Sequence, residues 1–166
     1  MENELPQFRF NILRILDSVF FVEEGYNPKP EDVKINFGMG FHFDVEEGWV
    51  QYNIRADFSA GEIEKQFVTG TVVTKFAVDN LKSFTDSDGS IMWPSNALEV
   101  MFSIAFTHMR ALLAKNTAGT KFSQYIVPLV NSRELFKQLM DADPNFEMVE
   151  ISEENVKNRI KTQSTK

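Results

Sequence analysis

The chain of 166 residues contains no cysteine. This absence excludes a disulfide framework, a thiolate zinc site and a cysteine nucleophile. Histidine occurs only twice. His108 falls on the apolar side of a predicted helix, which favours a hydrogen-bonded core or interface histidine, and His42 lies near Asp44 on the polar face of a strand. Neither position has a complete set of metal ligands around it, so we predict no metal and no cofactor.

Positive charge is also scarce. The formal net charge is −7 and the isoelectric point lies near 4.9. Such a chain repels nucleic-acid backbones and anionic lipids, so we expect neither as a partner. The N-terminal sequence MENELPQFRF has two acids and no long apolar run. We therefore predict no signal peptide and a cytoplasmic location.

Catalytic motifs are missing as well. Gly38-Met39-Gly40 lacks the third glycine of a dinucleotide loop and lies within a predicted strand. Asp86-Ser87-Asp88-Gly89 lacks the remaining ligands of a calcium loop and is interpreted as a turn. No G-x-S-x-G nucleophile elbow occurs. We predict that the protein is not an enzyme.

Alternation of apolar and polar residues dominates the first half of the chain, and 16 phenylalanines contribute to it. Val33–Val45 and Val50–Phe58 are predicted to form a hairpin, and Lys65–Val78 a further antiparallel strand. Because one face of each strand is apolar and the other polar, the sheet needs helical cover on one side only.

The first predicted strand, Phe8–Val22, is different because its apolar parity changes partway. A bulge near Leu13 or Arg14 would produce this change. Apolar residues therefore fall on both faces of the strand. It is buried either at a subunit boundary or as a central strand of the sheet.

Residues Trp93 to Thr120 are predicted to form a long helix, with Pro94 in its first turn and Gly119 at its end. On a helical wheel the polar residues gather in one narrow stripe, formed by Asn96, Glu99, Ser103, Thr107 and Arg110. The remaining circumference is apolar, far wider than one layer of protein covers. Charged residues in the helix argue against a membrane span.

We therefore expect a second subunit to cover part of this helix and predict a homo-oligomer. The predicted oligomer interface consists of Leu98, Met101, Phe102, Ala105, Met109 and Leu112.

After the helix, Thr120–Val130 is predicted to be extended because Pro128 interrupts it. Asn131 then caps a short helix that carries Leu135, Phe136, Leu139 and Met140 on its apolar face. The predicted domain comprises residues 1–140, and residues 141–166 form a polar, mobile tail.

The order of these elements resembles SecB, the bacterial export chaperone, and its SecB-like relatives. The residues that carry the resemblance are Phe10, Ile12, Arg14, Ile15, Arg110, Gly119-Thr120, Pro128, Asn131 and Leu135-Phe136. The resemblance implies an α+β fold, with a four-stranded antiparallel sheet covered by one long and one short helix. It also implies a homotetramer, assembled as a dimer of dimers.

SecB-like proteins hold unfolded or precursor clients in apolar grooves without ATP, and the resemblance implies the same function here. The matching client-binding residues are Phe122, Tyr125, Ile126, Leu135, Phe136 and Leu139, with Phe41 and Phe43 from a strand. For each of them, a place in the core is the alternative.

Two departures from SecB argue against its motor, SecA, as a partner. Val19 stands where the export chaperone carries an acid, and the segment after Met140 lacks the Gln- and Gly-rich character of the export chaperone. Since SecB-like relatives include chaperones of toxin–antitoxin modules, a dedicated client is an alternative to general export. Two other functions remain open, an assembly subunit joined through the apolar helix and a hotdog-type thioesterase.

Overall fold

Four strands and then two helices follow one another in the computed structural model, which describes residues 7–94 and 96–142. The elements are β1 (Phe10–Val22), β2 (Lys34–Asp44), β3 (Trp49–Ala60), β4 (Lys65–Val78), α1 (Ala97–Thr117) and α2 (Ser132–Asp141). This order confirms the predicted antiparallel sheet covered by one long and one short helix. All strands in the described ranges precede α1, which is not the order of a hotdog fold. The predicted tail from residue 143 onward lies outside the described residues.

The strands pair in the order β1-β4-β3-β2, so β1 and β2 form the two edges of the sheet. Alternate residues of β3, such as Tyr52 and Ile54, are completely buried beneath the helices, and their neighbours lie on the opposite face. We call these the helix face and the open face. The predicted hairpin and the predicted third strand of the alternation are confirmed.

Strand β1 begins at Phe10 and is an edge strand, so the prediction of a buried central strand is wrong. Its pairing with β4 shifts register twice, between Ile12 and Arg14 and between Asp17 and Val19. The first shift confirms the predicted bulge, whereas the second was not predicted. Each bulge reverses which residues point to the helix face.

Helix α1 packs across β3 and β4. The Tyr52 hydroxyl donates a hydrogen bond to the Leu98 carbonyl at 2.8 Å, and burial raises the pKa of Tyr52. The helix begins at Ala97, whose amide donates to the Pro94 carbonyl at 3.0 Å, so Pro94 precedes the first turn instead of lying in it. Gly119 has a φ of 80°, which agrees with the predicted helix stop.

The side of α1 that faces the sheet contains most of the predicted oligomer interface. Leu98, Met101, Phe102, Ala105 and Met109 are buried in the chain's own core, and only Leu112 is half-buried. The first five therefore cannot contact a second subunit while this fold is intact. A helix that packs on its own sheet needs the same apolar spacing as a helix that packs on a second subunit. The spacing of these residues is therefore explained by the sheet beneath them.

The polar stripe of α1 faces α2 and the segment before it. Arg110 donates from Nε to the Val127 carbonyl at 3.2 Å, and the Ser103 and Ser132 hydroxyls lie 2.8 Å apart. The Asn131 side chain caps α2 by accepting hydrogen bonds from the first-turn amides, as predicted. Polar contacts thus hold the second helix against the first.

Candidate functional site

Seven of the twelve exposed large apolar side chains in the described residues lie on β1. We call these seven residues the β1 surface: Ile12, Leu13, Ile15, Leu16, Val19, Phe20 and Phe21. Each is between 37% and 58% exposed. Monomeric proteins rarely leave so many neighbouring large apolar side chains in water, and such patches mark interaction sites.

The β1 surface extends over both faces of the sheet. Ile15 lies opposite Thr74 and therefore on the helix face, whereas Leu16 lies opposite Val73 on the open face. Because each of the two bulges reverses which residues point to which face, apolar side chains lie on both faces of the strand. Within the described ranges no strand pairs with the outer edge of β1, so its backbone groups on that side have no strand partner.

The flank of α1 beside β1 continues this surface. Asn116 donates a side-chain hydrogen bond to Asp17, which places this flank next to the strand. Val100 is 46% exposed, and Ile104 and Leu112 are half-buried on the same side of the helix. The exposed apolar surface of β1 therefore continues onto this flank of the helix.

His108 lies on the same flank of α1, four residues from both Ile104 and Leu112. Its Nδ1 is 3.0 Å from the hydroxyl of Thr74, which is completely buried. Burial lowers the pKa of His108, which favours the neutral imidazole near neutral pH. This agrees with the predicted core or interface histidine.

A second apolar surface lies where α2 approaches the other edge of the sheet. On the helix face of β2, Phe37, Met39 and Phe41 are half-buried, and Leu135 and Leu139 of α2 are half-buried near them. We call these five residues the β2–α2 surface.

The predicted client-binding residues divide into core and surface. Phe122 and Phe136 are buried, with their rings 5.4 Å from Phe67 and 5.2 Å from Phe102, so the core alternative holds for both. Tyr125 is half-buried.

The other predicted client-binding positions remain accessible. Leu135, Leu139 and Phe41 belong to the β2–α2 surface. Ile126 is 65% exposed and Phe43 is 47% exposed. Leu129, at 86% exposed, was not predicted, although it follows Pro128 in the same extended segment.

Nothing in the described ranges resembles a metal centre, since no group of three or more His, Asp or Glu side chains is placed to hold an ion. Helix α1 is long and apolar enough to pass for a membrane span by composition. Of this apolar stretch, 39% is buried within the described fold.

No protein family and no curated protein matches the chain in sequence. Among solved structures, the chain is similar to the Mycobacterium tuberculosis Rv1957 SecB-like chaperone, determined in complex with a ChAD peptide from the HigA1 antitoxin. The identity is 11%, the match covers 75% of this chain and 89% of that chain, and the TM-score is 0.44.

Proposed function

We propose that the protein is an ATP-independent chaperone or adaptor that holds unfolded segments of other proteins against apolar surfaces of an oligomer. The observation that carries this proposal is the exposed apolar area on both edges of a sheet whose core is already complete. The chain has 16 phenylalanines, and not all of them are buried in the core. Phe20, Phe21 and Phe43 remain 37% to 47% exposed.

Client binding would be driven by burial of apolar side chains from both partners. Ile126 and Leu129 are 65% and 86% exposed, so complete coverage would stabilise a complex by about 1 to 2.5 kcal/mol each. The net charge of −7 favours clients with basic residues and keeps the loaded complex soluble. No step of this binding requires a nucleotide, a metal or a bond rearrangement.

The β1 surface supports self-association as the second part of the proposal. A second copy placed antiparallel beside β1 would bring the two β1 surfaces together, so that cross-strand contacts bury part of the apolar side chains on each face. The flank of α1 beside β1 would then contact a further pair of subunits, which gives a dimer of dimers. We propose this homotetramer as the working form, in the cytoplasm.

The partner of this assembly is proposed to be an unfolded or precursor client, and the motor SecA is not expected to bind it. Val19 is 48% exposed within the β1 surface, and it presents an apolar side chain where the export chaperone carries an acid. Its position supports an apolar contact and gives no site for a basic motor surface.

Light scattering of a chemically denatured substrate tests the function. We expect stoichiometric protein to suppress aggregation of the diluted substrate. Replacing Ile126 and Leu129 together by Ser should weaken this suppression, because both are large apolar side chains exposed on the extended segment between α1 and α2. Ile63→Ser is the matched control, since Ile63 is also 86% exposed but lies in the turn between β3 and β4. Unaltered aggregation with the unmodified protein would contradict the proposal.

An assembly subunit is the second candidate, because the β1 surface alone would suit it. Native mass spectrometry separates the two functions. Closed tetramers support the chaperone, whereas open-ended polymers would support the assembly protein.

A further inference from the structure

The four strands contain more basic than acidic residues, although the whole chain has the opposite balance. The chain has 24 Asp and Glu against 17 Lys and Arg. Strands β1 to β4 together contain five Lys and Arg against three Asp and Glu. The five are Arg14, Lys34, Arg55, Lys65 and Lys75. A local reversal of charge on an acidic protein marks a surface that attracts negative charge.

Strand pairing arranges part of this positive charge in one row across the open face. Arg14 of β1 lies opposite Lys75 of β4. On the other side of Lys75 lies Gln51 of β3, which in turn lies opposite His42 of β2. We call these four residues the basic row. The row crosses three spaces between neighbouring strands and is therefore about 14 Å long.

The β1 end of the row brings two cations together. Arg14 is exposed directly beside Lys75, and like charges opposite each other destabilise a sheet. The Lys75 ammonium lies 3.8 Å from the centroid of the Trp49 ring, which holds it over the face of the sheet. Asp17 does not compensate these charges, because it lies opposite Val72 and therefore on the helix face. A bound anion would relieve the repulsion between the two cations.

The β2 end of the row offers hydrogen-bond donors around a position without a side chain, Gly40. Gln51 donates from Nε2 to Asn53 Oδ1 at 3.1 Å, which leaves the Asn53 Nδ2 group to face Gly40. A Cβ placed on Gly40 would lie 3.5 Å from Asn53 Nδ2 and 3.6 Å from His42 Nε2. The amide donates there, and the imidazole donates when Nε2 has its proton. An anionic oxygen above Gly40 can therefore accept from both groups.

The two strand acids on the open face are engaged with other neighbours. Asp57 accepts hydrogen bonds from Arg55 Nε and from the Thr69 hydroxyl, each at 2.7 Å. Asp44 Oδ1 accepts from the Glu47 amide at 2.9 Å. The two cations of the basic row are thus left without an acidic partner among the strand residues.

We propose that the basic row binds an acidic segment of a partner polypeptide, laid across the strands of the open face. An extended segment of four or five residues is about 14 Å long, and its alternate side chains are about 7 Å apart on one side. Carboxylates at alternate positions would therefore reach both the two cations and the donors beside Gly40. This surface is separate from the apolar surfaces that carry the proposed function, so the protein would link a client to a second, acidic partner.

Overall charge favours a short acidic segment over nucleic acid. Tight binding to a phosphate backbone requires many phosphate contacts, whereas the basic row has two permanent cations. The chain's net charge of −7 repels a long polyanion beyond the row. A segment with a few carboxylates meets the cations and little of this repulsion.

Fluorescence anisotropy with the full-length protein tests the row. The probe is a labelled peptide that alternates Glu with Thr over about nine residues, longer than the row at about 3.3 Å per residue. Replacing Arg14 and Lys75 together by Gln should weaken its binding about tenfold or more, because hydrogen bonds between charged groups are the strong ones. The matched control replaces Lys34 and Lys82 by Gln. It changes the net charge equally at two exposed ion pairs outside the row, and it should bind like the unmodified protein.

Peptide composition separates charge from shape. A peptide with Gln in place of every Glu keeps its length and hydrogen-bonding groups, and it should not bind. Raising NaCl from about 0.1 M to about 1 M shortens the Debye length from about 10 Å to about 3 Å and should weaken binding of the Glu peptide. Equal binding of the two peptides, or no binding of the Glu peptide, would overturn the proposal. The aggregation assay remains a separate test of the proposed function.

Other occupants of the row give different results, and each would overturn the proposal. A single-stranded RNA of about ten nucleotides that binds more tightly than the Glu peptide, and only with the row intact, would assign the row to nucleic acid. A truncation after Ala142 that raises peptide affinity more than about tenfold would assign it to the acids of the chain's own residues 143–154. A lower oligomer mass after replacement of Arg14 and Lys75 would assign it to a subunit contact. Unchanged mass with weakened peptide binding supports the acidic partner.

Discussion

Replacing Val19 by Lys should dissociate the proposed oligomer without unfolding the subunit. Val19 lies opposite Thr71 on the open face of β1 and is 48% exposed. A Lys side chain can extend into water from this position in the separate subunit. In an assembly paired along β1, the same ammonium group would lie within an apolar contact.

The magnitude follows from the exposure. Covering the exposed half of a valine stabilises by about 1 kcal/mol, and removing an ammonium group from water with imperfect hydrogen bonding costs about 1 to 3 kcal/mol more. A two-fold contact contains the substitution twice, so the association free energy should fall by about 4 to 8 kcal/mol. This corresponds to about three to six decades in the dissociation constant.

Sedimentation velocity over a concentration series measures this change. The matched control is Ile63→Lys, which exchanges an equally apolar side chain in the turn between β3 and β4 and should leave the mass unchanged. Circular dichroism should show the same helix and strand content for both variants. A Val19→Lys protein that sediments like the unmodified oligomer would refute the assignment of the β1 surface.

Three further changes test the packing. Gly70→Ala should reduce the free energy of unfolding, measured by urea titration, by about 1 to 3 kcal/mol. The reason is that the added Cβ would lie 2.7 Å from Leu113 Cδ1. Leu113→Ala in the same chain should relieve this clash. Phe136→Ala should cost about 3 to 5 kcal/mol, whereas Phe43→Ala, at a side chain 47% exposed, should cost about half of that. His108→Gln should make the free energy of unfolding less sensitive to acid. Because burial lowers the pKa of His108 in the folded state, the unfolded chain takes up the proton first, and the stability of the unmodified protein falls as pH drops below about 6.5. A urea midpoint that shifts equally with pH in both proteins would contradict this.

The sheet was predictable because its signal is local. Each of β2, β3 and β4 has one buried face, so alternation alone defines the strand, and the predicted Lys65–Val78 coincides with β4. Strand β1 lacks this signal because two bulges distribute its apolar residues over both faces. Its position at the edge depends on pairing with β4, in which the paired residues are 46 (Val22 and Val68) to 68 (Phe10 and Val78) positions apart in the sequence.

The sequence predicted how much of the surface of α1 is apolar, but not which element packs against each side of the helix. A helical wheel gives the angle of each side chain, and it does not say which element occupies that angle. The polar stripe was compatible with a solvent-exposed side, yet Arg110 and Ser103 hold the following segment and α2 there. The uncovered apolar side is therefore the flank with Val100, Ile104 and Leu112, and not the sheet-facing row.

The candidate client residues could not be sorted by type, because a phenylalanine suits a core and a groove equally well. Phe122 is buried since the chain turns back after Gly119 and places this ring on Phe67. Ile126, only four residues further, is exposed because the extended segment directs Val127 inward instead. Burial here depends on the path of one loop, which has no repeating pattern.

The β1 surface and the exposed client-binding segment should be separable by mutation if they hold different partners. Val19→Lys changes β1 and leaves Ile126 and Leu129 intact, so the dissociated subunit should bind a short unfolded peptide with unchanged affinity per chain. It should nevertheless suppress aggregation of a long polypeptide less well, because linked sites raise the effective affinity by about 10² to 10⁴. Replacing Ile126 and Leu129 together by Ser should do the reverse, keeping the oligomer and weakening peptide binding. Loss of short-peptide binding in step with dissociation of Val19→Lys would mean that the client site is built from two copies, and the separation of the two surfaces would be wrong.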